Sequence, residues 1–435
     1  MENNKTNYYV DNCFDMELIS KSGKLLGKGQ VNIEHSFMYA KFCDKSHKKN
    51  FDFKISLKDI LVVKEVDGTS DGLIIEIYYI KHELHRMLKM ESIRFRAVAS
   101  EATYFHILMD DVIQGFSRPR KLLVFINPIS GRKKGLKIYR QQMAPICKLC
   151  GIECSVIVTN RRGQALEILD NYDLSSIDGI VTVGGDGIFS ECVNGLLRRH
   201  QAEHNVDIHD THSRLQPCNI PLGVIPAGSG NVLLELLHGN KDVQTAVLRI
   251  ILGDVTRTNV AGVHQGGVLS VYACLILGFG LCGRMVRDCE KTRWMGPRRY
   301  SKNYVIRDRV YSIDTWIPTL TDISDHCHPV FGDSKITAHC VKECSFGDHL
   351  KHLLKVNERV AYCFKFDFVH ALRGRGYRVR IFDTGDSRHR RKYYINYDGD
   401  SLLLKSSEFD VRLHRNIIKL FGTKEEDDIS SNVKT

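Results

Sequence analysis

Three apolar runs of this chain each end in a glycine-rich turn, and a helix-like stretch follows each turn. The turns cover residues 127–135, 184–187 and 226–231. Glycine allows positive φ and a close approach of the backbone to a ligand, while the free N–H groups and the dipole of the next helix attract anions. One such turn is also an ordinary connection between a strand and a helix. Three of them, each at the end of a strand, predict a phosphate site at one edge of a parallel sheet.

A carboxylate, Asp186, lies at the centre of the second turn, Gly-Gly-Asp-Gly. A negative side chain in a phosphate-binding turn repels the ligand, so its presence needs a chemical reason. It could hold a metal ion, or it could accept the proton of a hydroxyl that attacks a phosphate. Both alternatives indicate phosphoryl transfer.

The three turns, in this order and spacing, resemble the catalytic domain shared by diacylglycerol, sphingosine and ceramide kinases. The ceramide kinase branch fits best, on Gly-Phe-Gly at 278–280, on Glu-Lys-Thr-Arg-Trp-Met-Gly-Pro-Arg-Arg-Tyr at 290–300 and on Asp-Gly-Asp at 398–400, ahead of Val-Arg-Leu-His at 411–414. The resemblance covers about residues 119–422 and is more specific in its first half. It implies an α/β three-layer nucleotide-binding lobe and a β-rich second lobe, preceded by a pleckstrin-homology-like β domain.

Periodicity along the chain agrees with these expectations. Strand-like and helix-like runs alternate over 121–237, which indicates a parallel sheet with helices on its faces. The other expected strands are 51–57, 73–80, 93–98, 255–260, 269–277, 378–382 and 411–413, with an amphipathic helix at 105–116. The predicted domains are 1–118 (pleckstrin-homology-like), 119–252 (catalytic α/β lobe), 253–423 (a shortened β-rich lobe) and a disordered tail at 424–435.

The resemblance also implies roles for individual residues. Asp186 is the expected proton acceptor, and Gly185 and Gly187 allow close approach of lipid and nucleotide. ATP is expected to contact Asn127, Ser130, Gly131, Arg132, Thr159, Gly185, Gly187, Glu191, Gly228, Ser229, Arg293, Arg299, Asp398, Gly399 and Asp400. The two arginines would neutralise phosphate charge with bidentate bonds. Asp398 and Asp400 would act through Mg²⁺, which binds oxygen ligands.

Three departures from the family pattern bear on activity. Arg284 stands where the ceramide kinase branch has an aspartate near the lipid head group, and a guanidinium cannot accept a hydrogen bond; Asp288, one turn on, is the candidate substitute. Asp400 replaces a glutamate. Only residues 313–328 bridge what the family fills with a long linker and a core strand, as in a shortened splice form. We expect the lost strand to leave unpaired backbone groups and an incompletely folded second lobe.

Composition limits the compartment and the metal chemistry. The chain has 435 residues, 43% of them hydrophobic and 26% charged, which is typical of a globular protein. Residues 1–30 do not resemble a signal peptide, and the apolar run 268–283 is too broken by glycine to span a membrane. Fourteen irregularly spaced cysteines indicate reduced thiols in the cytoplasm or nucleus. Zinc binding remains a less favoured alternative for Cys147 with Cys150, and for the cluster His326, Cys327, His328, His339, Cys340 and Cys344.

The net charge of +11 favours anionic partners, namely nucleotide, acidic lipid head groups or nucleic acid. Basic residues are concentrated at 373–380 and 388–392, which could be a nuclear signal, a lipid-facing patch or a solvated strand face. Because no aromatic platform accompanies this charge, we do not expect nucleic-acid binding.

Two functions are compatible with the sequence. One is a lipid kinase that uses ATP and Mg²⁺ at a membrane surface, as a cytoplasmic or also nuclear peripheral protein, with ceramide or a related sphingolipid as acceptor. The other is a catalytically inactive member that binds lipid, nucleotide or a protein partner. The intact turns and Asp186 favour the first, whereas Arg284 and the shortened lobe favour the second.

Overall fold

The computed structural model describes residues 12–44, 46, 48–69, 72–130, 133–228, 231–292, 312–316, 336–341, 348, 366–381 and 392–422. The chain divides into two compact units. The first comprises residues 1–120, 143–153 and 247–254, and the second comprises 121–142, 154–246 and 255–435. The predicted domain bounds stay predictions, and the predicted disordered tail at 424–435 lies outside the described residues. None of the described helices has the length and hydropathy needed to cross a lipid bilayer.

The first unit contains an antiparallel sheet of seven strands and a helix that packs on it. The elements are β1 Asn12–Ile19, β2 Leu25–Glu34, β3 Phe37–Asp44, β4 Lys49–Ser56, β5 Ile60–Thr69, β6 Gly72–His82, β7 Leu88–Ala97 and α1 Ala99–Gln114. The strand order is β4-β3-β2-β1-β7-β6-β5. Phe105, Met109 and Val112 of α1 are buried against the sheet at the helical spacing that predicted this stripe. This is the pleckstrin-homology-like arrangement that the sequence predicted.

Only three of these seven strands were predicted, and the predicted ranges overlap β4, β6 and β7. The missed strands are less regular in pattern. In β2, for example, Gly27 and Gly29 interrupt the alternation, because the backbone of β3 passes close to them. A Cβ atom at Gly29 would lie 1.8 Å from the carbonyl oxygen of Lys41. The glycines therefore serve strand pairing here and not a turn.

From residue 121 onward the chain forms two further sheets. The strands are β8 Lys121–Ile126, β9 Glu153–Val158, β10 Gly179–Gly184, β11 Pro221–Pro226, β12 Val255–Gln265, β13 Val268–Ala273, β14 Ile276–Gly280, β15 Ser312–Trp316, β16 Ile336–Val341, β17 Val369–Gly374, β18 Gly376–Arg380, β19 Tyr394–Tyr397, β20 Asp400–Leu403 and β21 Glu408–Phe421. The helices are α2 Gly135–Ile138, α3 Ala144–Leu149, α4 Gln164–Asn171, α5 Asp186–Glu203, α6 Val232–His238, α7 Val243–Leu252 and α8 Leu281–Lys291.

The parallel part of the larger sheet contains all three glycine turns. Its order is β13-β12-β21-β11-β10-β8-β9, with β18 paired to β21. Strands β8, β10 and β11 run parallel, and their buried side chains form near-continuous apolar runs. The chain passes from β8 to β9 on one side and then to β10 on the other, so the strand order reverses at β8 and β10. Open α/β sheets bind ligands at the carboxyl ends of strands at such a point.

The second sheet has the order β17-β16-β15-β14-β19-β20. Within it, β14 is paired antiparallel to β15 on one edge and to β19 on the other. The expected incomplete folding of the second lobe stays a prediction, because residues 317–335, 342–347 and 349–365 lie outside the described part of the chain. The prediction of one strand over 269–277 was wrong, because the chain bends at Cys274 and Leu275 between β13 and β14. The backbone N–H groups at this bend donate to a carboxylate instead of a neighbouring strand.

Candidate functional site

The three glycine turns meet at the carboxyl ends of β8, β10 and β11. The Asn127 N–H donates to the carbonyl oxygen of Val183 over 3.0 Å, which joins the first turn to β10. The N–H groups of Ala227 and Gly228 both donate to the carbonyl oxygen of Gly184 over 2.9 Å, which joins the third turn to the second. Backbone hydrogen bonds therefore hold the predicted phosphate-binding turns together.

Glycine is required where the second and third turns touch. A Cβ atom at Gly228 would lie 2.5 Å from the Cα of Gly185, which is closer than non-bonded carbon atoms approach. A Cβ atom at Gly185 would lie 3.4 Å from the Cα of Gly228 and 3.5 Å from the Oγ of Ser130. Ser130, Gly185 and Gly228, all predicted to contact the nucleotide, are thus brought together.

Asp186 is the first residue of α5 and faces the start of α6. Its carboxylate accepts hydrogen bonds from the backbone N–H groups of Asn231, Val232 and Leu233. Its Oδ1 atom is nevertheless buried without a hydrogen-bond partner in the part of the chain that the structure describes. Burial raises the pKa of Asp186, while the three N–H groups act to lower it. An acceptor oxygen that is buried and unpaired at the meeting point of the turns is suited to receive a proton from a bound hydroxyl.

The hairpin between β19 and β20 carries the late acidic pair. Asp398 and Gly399 form its two-residue turn, both with positive φ, at 48° and 86°. The next residue, Asp400, lies beside the second glycine turn, because a Cβ atom at Gly187 would be 3.4 Å from Asp400 Oδ2. Arg162 Nη2 lies 3.3 Å from the same oxygen, so the guanidinium pairs with this carboxylate. The structure thus brings Asp400 beside the second glycine turn, while the contacts predicted for Asp400 and Gly399 with the nucleotide stay predictions.

Asp398 is held in a different way from Asp400. Its Oδ2 accepts the N–H of Cys274 over 2.8 Å, and its Oδ1 accepts those of Leu275 and Ile276 over 2.7 and 3.1 Å. Only 2% of Asp398 is exposed. Complete burial raises the pKa of Asp398 to about 7, although the three N–H donors act to lower it, and the charge of Asp186 adds to the rise.

A cavity of about 820 Å³ extends from Asp400 along α5. Glu191 lines it, together with Arg162, Arg198 and Tyr397, so it presents both signs of charge. Ser190 also lines it, and its Oγ is buried without a hydrogen-bond partner among the described residues. Ser190 was not predicted from the sequence, although its position four residues after Asp186 places both residues on one face of α5.

The described residues fit a nucleotide better than they fit a directly bound metal ion. Gly185 and Gly228 leave no room for a side chain where the turns touch, and Asp186 Oδ1, which has no hydrogen-bond partner among the described residues, is an acceptor available to a hydroxyl. Asp398 does not fit as a Mg²⁺ ligand, because both of its oxygens are occupied by N–H donors. Within the described ranges, no three His, Cys, Asp or Glu side chains are grouped closely enough to hold a metal ion. Asp400 is the one member of the pair that could contribute to a Mg²⁺ site.

The remaining candidates are not all placed at these turns. Gly131, Arg132, Ser229, Arg293 and Arg299 lie outside the described residues, as do the zinc candidates His326, Cys327, His328 and Cys344. Thr159 is buried at the end of β9, and its hydroxyl donates to the carbonyl oxygen of Ile126 over 3.3 Å. Asp288 lies on α8, where Arg287 and Lys291 pair with its carboxylate at 2.6 and 3.8 Å. The roles predicted for these residues stay predictions.

Comparisons with known proteins agree with this geometry. A family model described as the diacylglycerol kinase catalytic domain matches residues 121–263. A ceramide kinase from Homo sapiens is 41% identical over 184 residues, which are 42% of this chain and 34% of that protein. Ceramide kinase 1 from Caenorhabditis elegans is 31% identical over 256 residues, 58% of this chain and 46% of that protein. A ceramide kinase-like protein from Homo sapiens is 34% identical over 217 residues, 43% of this chain and 38% of that protein.

The solved structures give the fold. A diacylglycerol kinase described as putative, from Bacillus anthracis, superposes with a TM-score of 0.50 at 14% identity and covers 71% of this chain and 98% of its own. The chain spans between about a third and a half of the length of the curated relatives named above, as their 34% to 46% coverage shows. Residues 121–263 of this chain therefore match the diacylglycerol kinase catalytic domain, and the chain is similar to ceramide kinases over part of their length.

Proposed function

We propose that this chain transfers the γ-phosphoryl group of ATP to the primary hydroxyl of ceramide or a related sphingolipid. The names of the relatives and the three joined turns support this activity. The observation that carries it is Asp186, whose buried Oδ1 lies where the turns meet and has no hydrogen-bond partner in the part of the chain that the structure describes. A protein that only bound nucleotide would have no chemical need for a carboxylate at this position.

In the proposed reaction, the hydroxyl oxygen of the lipid attacks the γ-phosphorus while Asp186 accepts its proton. A bond forms between that oxygen and phosphorus, and the bond to the bridging oxygen of ADP breaks, so ADP leaves with the electron pair. The N–H groups at the start of α6 fix the carboxylate, and the close approach of Gly185 and Gly228 fixes the turns around the phosphates. Positioning therefore supplies much of the catalysis.

The nucleotide contacts remain part of the proposal. Asn127, Ser130, Gly187, Glu191, Gly399 and Asp400 are the described residues that we assign to ATP. Mg²⁺ would neutralise charge on the phosphates, and Asp400 is the carboxylate of this chain that we assign to it. Asp288 is our candidate for the lipid head group. Glu191 supports the nucleotide assignment because it lines the cavity that begins at Asp400.

We also propose that the first unit places the protein on an anionic membrane surface from the cytoplasmic side. Lys54 lies over the rings of Phe37 and Tyr39, 4.4 and 5.6 Å from their centroids, and Lys49 lies 4.9 Å from that of Phe51. These pairs present ammonium groups beside aromatic rings on β3 and β4, which suits an interface of phosphate and hydrocarbon. A nuclear population is compatible with the basic segments.

A catalytically inactive protein remains the second candidate, because Arg284 stands at the start of α8 in place of an aspartate. The deciding experiment measures transfer of labelled γ-phosphate from Mg-ATP to ceramide, sphingosine and diacylglycerol in mixed micelles. We expect labelled ceramide from the unmodified chain and at least a 100-fold lower rate from Asp186→Asn, about the loss that follows removal of a general base. The control is Asp110→Asn, which changes an exposed carboxylate of α1.

Each outcome of this experiment identifies one of the candidates. Labelled lipid that Asp186→Asn fails to make supports the kinase and identifies its acceptor. Equal transfer by Asp186→Asn and the unmodified chain would remove Asp186 from the reaction. No product from a folded protein that still binds ATP would favour the inactive binding protein.

A further inference from the structure

The two carboxylates of the Asp-Gly-Asp hairpin contact different parts of the protein. Family resemblance assigns both Asp398 and Asp400 to the nucleotide. In the structure, however, Asp398 contacts the bend between β13 and β14, whereas Asp400 contacts Gly187 and Arg162. This difference rests on hydrogen bonds and burial within the described residues, and it deepens the proposed function.

Most of the hydrogen-bond capacity of the Asp398 carboxylate is taken by N–H groups of the bend between β13 and β14. The side chain accepts three of the roughly four hydrogen bonds that a carboxylate can accept, all from consecutive N–H groups at Cys274, Leu275 and Ile276. The Asp398 N–H in turn donates to the carbonyl oxygen of Ile276 over 3.0 Å. The hairpin and the bend are thus joined by four hydrogen bonds at one residue.

The strand that leads into this bend, β13, is held by α5. Asn194 Oδ1 accepts the N–H of Tyr272 over 2.8 Å, and its Nδ2 donates to the carbonyl oxygen of Tyr272 over 2.9 Å. Asn194 belongs to the helix that begins with Asp186. The bend therefore connects the helix that carries the proposed proton acceptor with the hairpin that carries Asp400.

The tight hairpin turn fixes the position of Asp400 relative to Asp398, which is itself held at the bend. Its central residues both adopt positive φ, as in the tight turns that match the twist of a two-stranded ribbon. Gly399 donates its N–H to Asn396 Oδ1 over 3.1 Å. Asp400 pairs with Tyr397 across the hairpin, and its carboxylate is directed to Gly187 and Arg162.

We propose that Asp398 is a positioning residue that fixes the bend Cys274–Ile276, and that Asp400 is the member of the pair that faces the nucleotide and its metal ion. Asp398→Asn replaces an acceptor with an NH₂ group, so at least one N–H of the bend loses its acceptor. Asp400→Asn leaves all of these bonds in place. The two variants are therefore matched in chemistry and differ in which partner they disturb.

Two measurements separate the roles. Hydrogen exchange without nucleotide should be about 10-fold faster at residues 274–276 in Asp398→Asn and unchanged in Asp400→Asn. Binding of a fluorescent ATP analogue should weaken equally with and without Mg²⁺ in Asp398→Asn, but only with Mg²⁺ in Asp400→Asn. If Asp398→Asn keeps the exchange rate of the unmodified chain and loses binding only with Mg²⁺, the proposal is overturned.

The unmodified chain gives an independent test should Asp398→Asn fail to fold. On addition of Mg-ATP, we expect the protection of residues 274–276 to stay equal or increase. Faster exchange there would mean that Asp398 leaves the bend for the ligand, which contradicts the proposal. A chain that binds no ATP would refute the proposed kinase function, while exchange at 274–276 in the two variants would still decide the role of Asp398.

Discussion

At the scale of single residues, Gly228 determines how closely two of the glycine turns approach. Its φ is not positive, so the requirement for glycine is one of space: a Cβ atom would lie 2.5 Å from backbone of Gly185. We expect Gly228→Ala to separate the turns, lower the free energy of unfolding by about 1–3 kcal/mol and weaken ATP binding. Thermal unfolding and binding of a fluorescent ATP analogue measure both effects.

The control for this substitution is Gly23→Ala, because a Cβ atom at Gly23 meets nothing within 4 Å. Its φ of 84° means that alanine there costs backbone strain but no contact. Gly23→Ala should therefore reduce stability without changing ATP affinity. Normal ATP affinity in Gly228→Ala would show that the contact between the turns does not shape the nucleotide site.

At the scale of elements, α5 is joined to β13 by two side chains, the buried Asn194 and Arg198, whose Nη2 donates to the carbonyl oxygen of Ser270 over 2.9 Å. Replacing Asn194 with alanine leaves the N–H and carbonyl groups of Tyr272 without their partners, and each unpaired buried group costs about 1–3 kcal/mol. We expect Asn194→Ala to lower the free energy of unfolding by about 2–4 kcal/mol. Urea unfolding measures this change. Asn171→Ala, at the exposed end of α4, is the control and should have little effect; equal losses in both variants would contradict the assignment.

The same elements show what the sequence could predict. Strands β8, β10 and β11 are apolar runs that end in glycine turns. The local pattern was therefore enough to predict the parallel sheet and the position of Asp186 in one of these turns. The break between β13 and β14 could not be predicted, because its cause, Asp398, lies more than 120 residues away in the chain. For the same reason Asp398 and Asp400 look equivalent in sequence, although their partners differ.

At the scale of the whole molecule, a pair of histidines, one buried (His264) and one half-buried (His414), links stability to pH. His414 of β21 lies near His264 of β12 and against the ring of Tyr272, whose centroid is 6.4 Å away. Burial, followed by the neighbouring His264 and Arg412, lowers the pKa of His414 to about 4. Burial also lowers the pKa of His264. Both side chains are therefore neutral in the folded protein at pH 7.

The direction of the pH dependence follows from proton binding. Between pH 6.5 and 4 the unfolded chain binds a proton at His414 that the folded chain does not, so stability falls as pH falls through this window. A shift of about 2.5 units corresponds to a loss of about 3 kcal/mol by pH 4 for this residue. His414→Gln should flatten the curve of unfolding free energy between pH 7 and 5, while His370→Gln, at an exposed position of β17, should leave its slope unchanged. An equal slope in His414→Gln and the unmodified chain would show that other groups govern stability in acid.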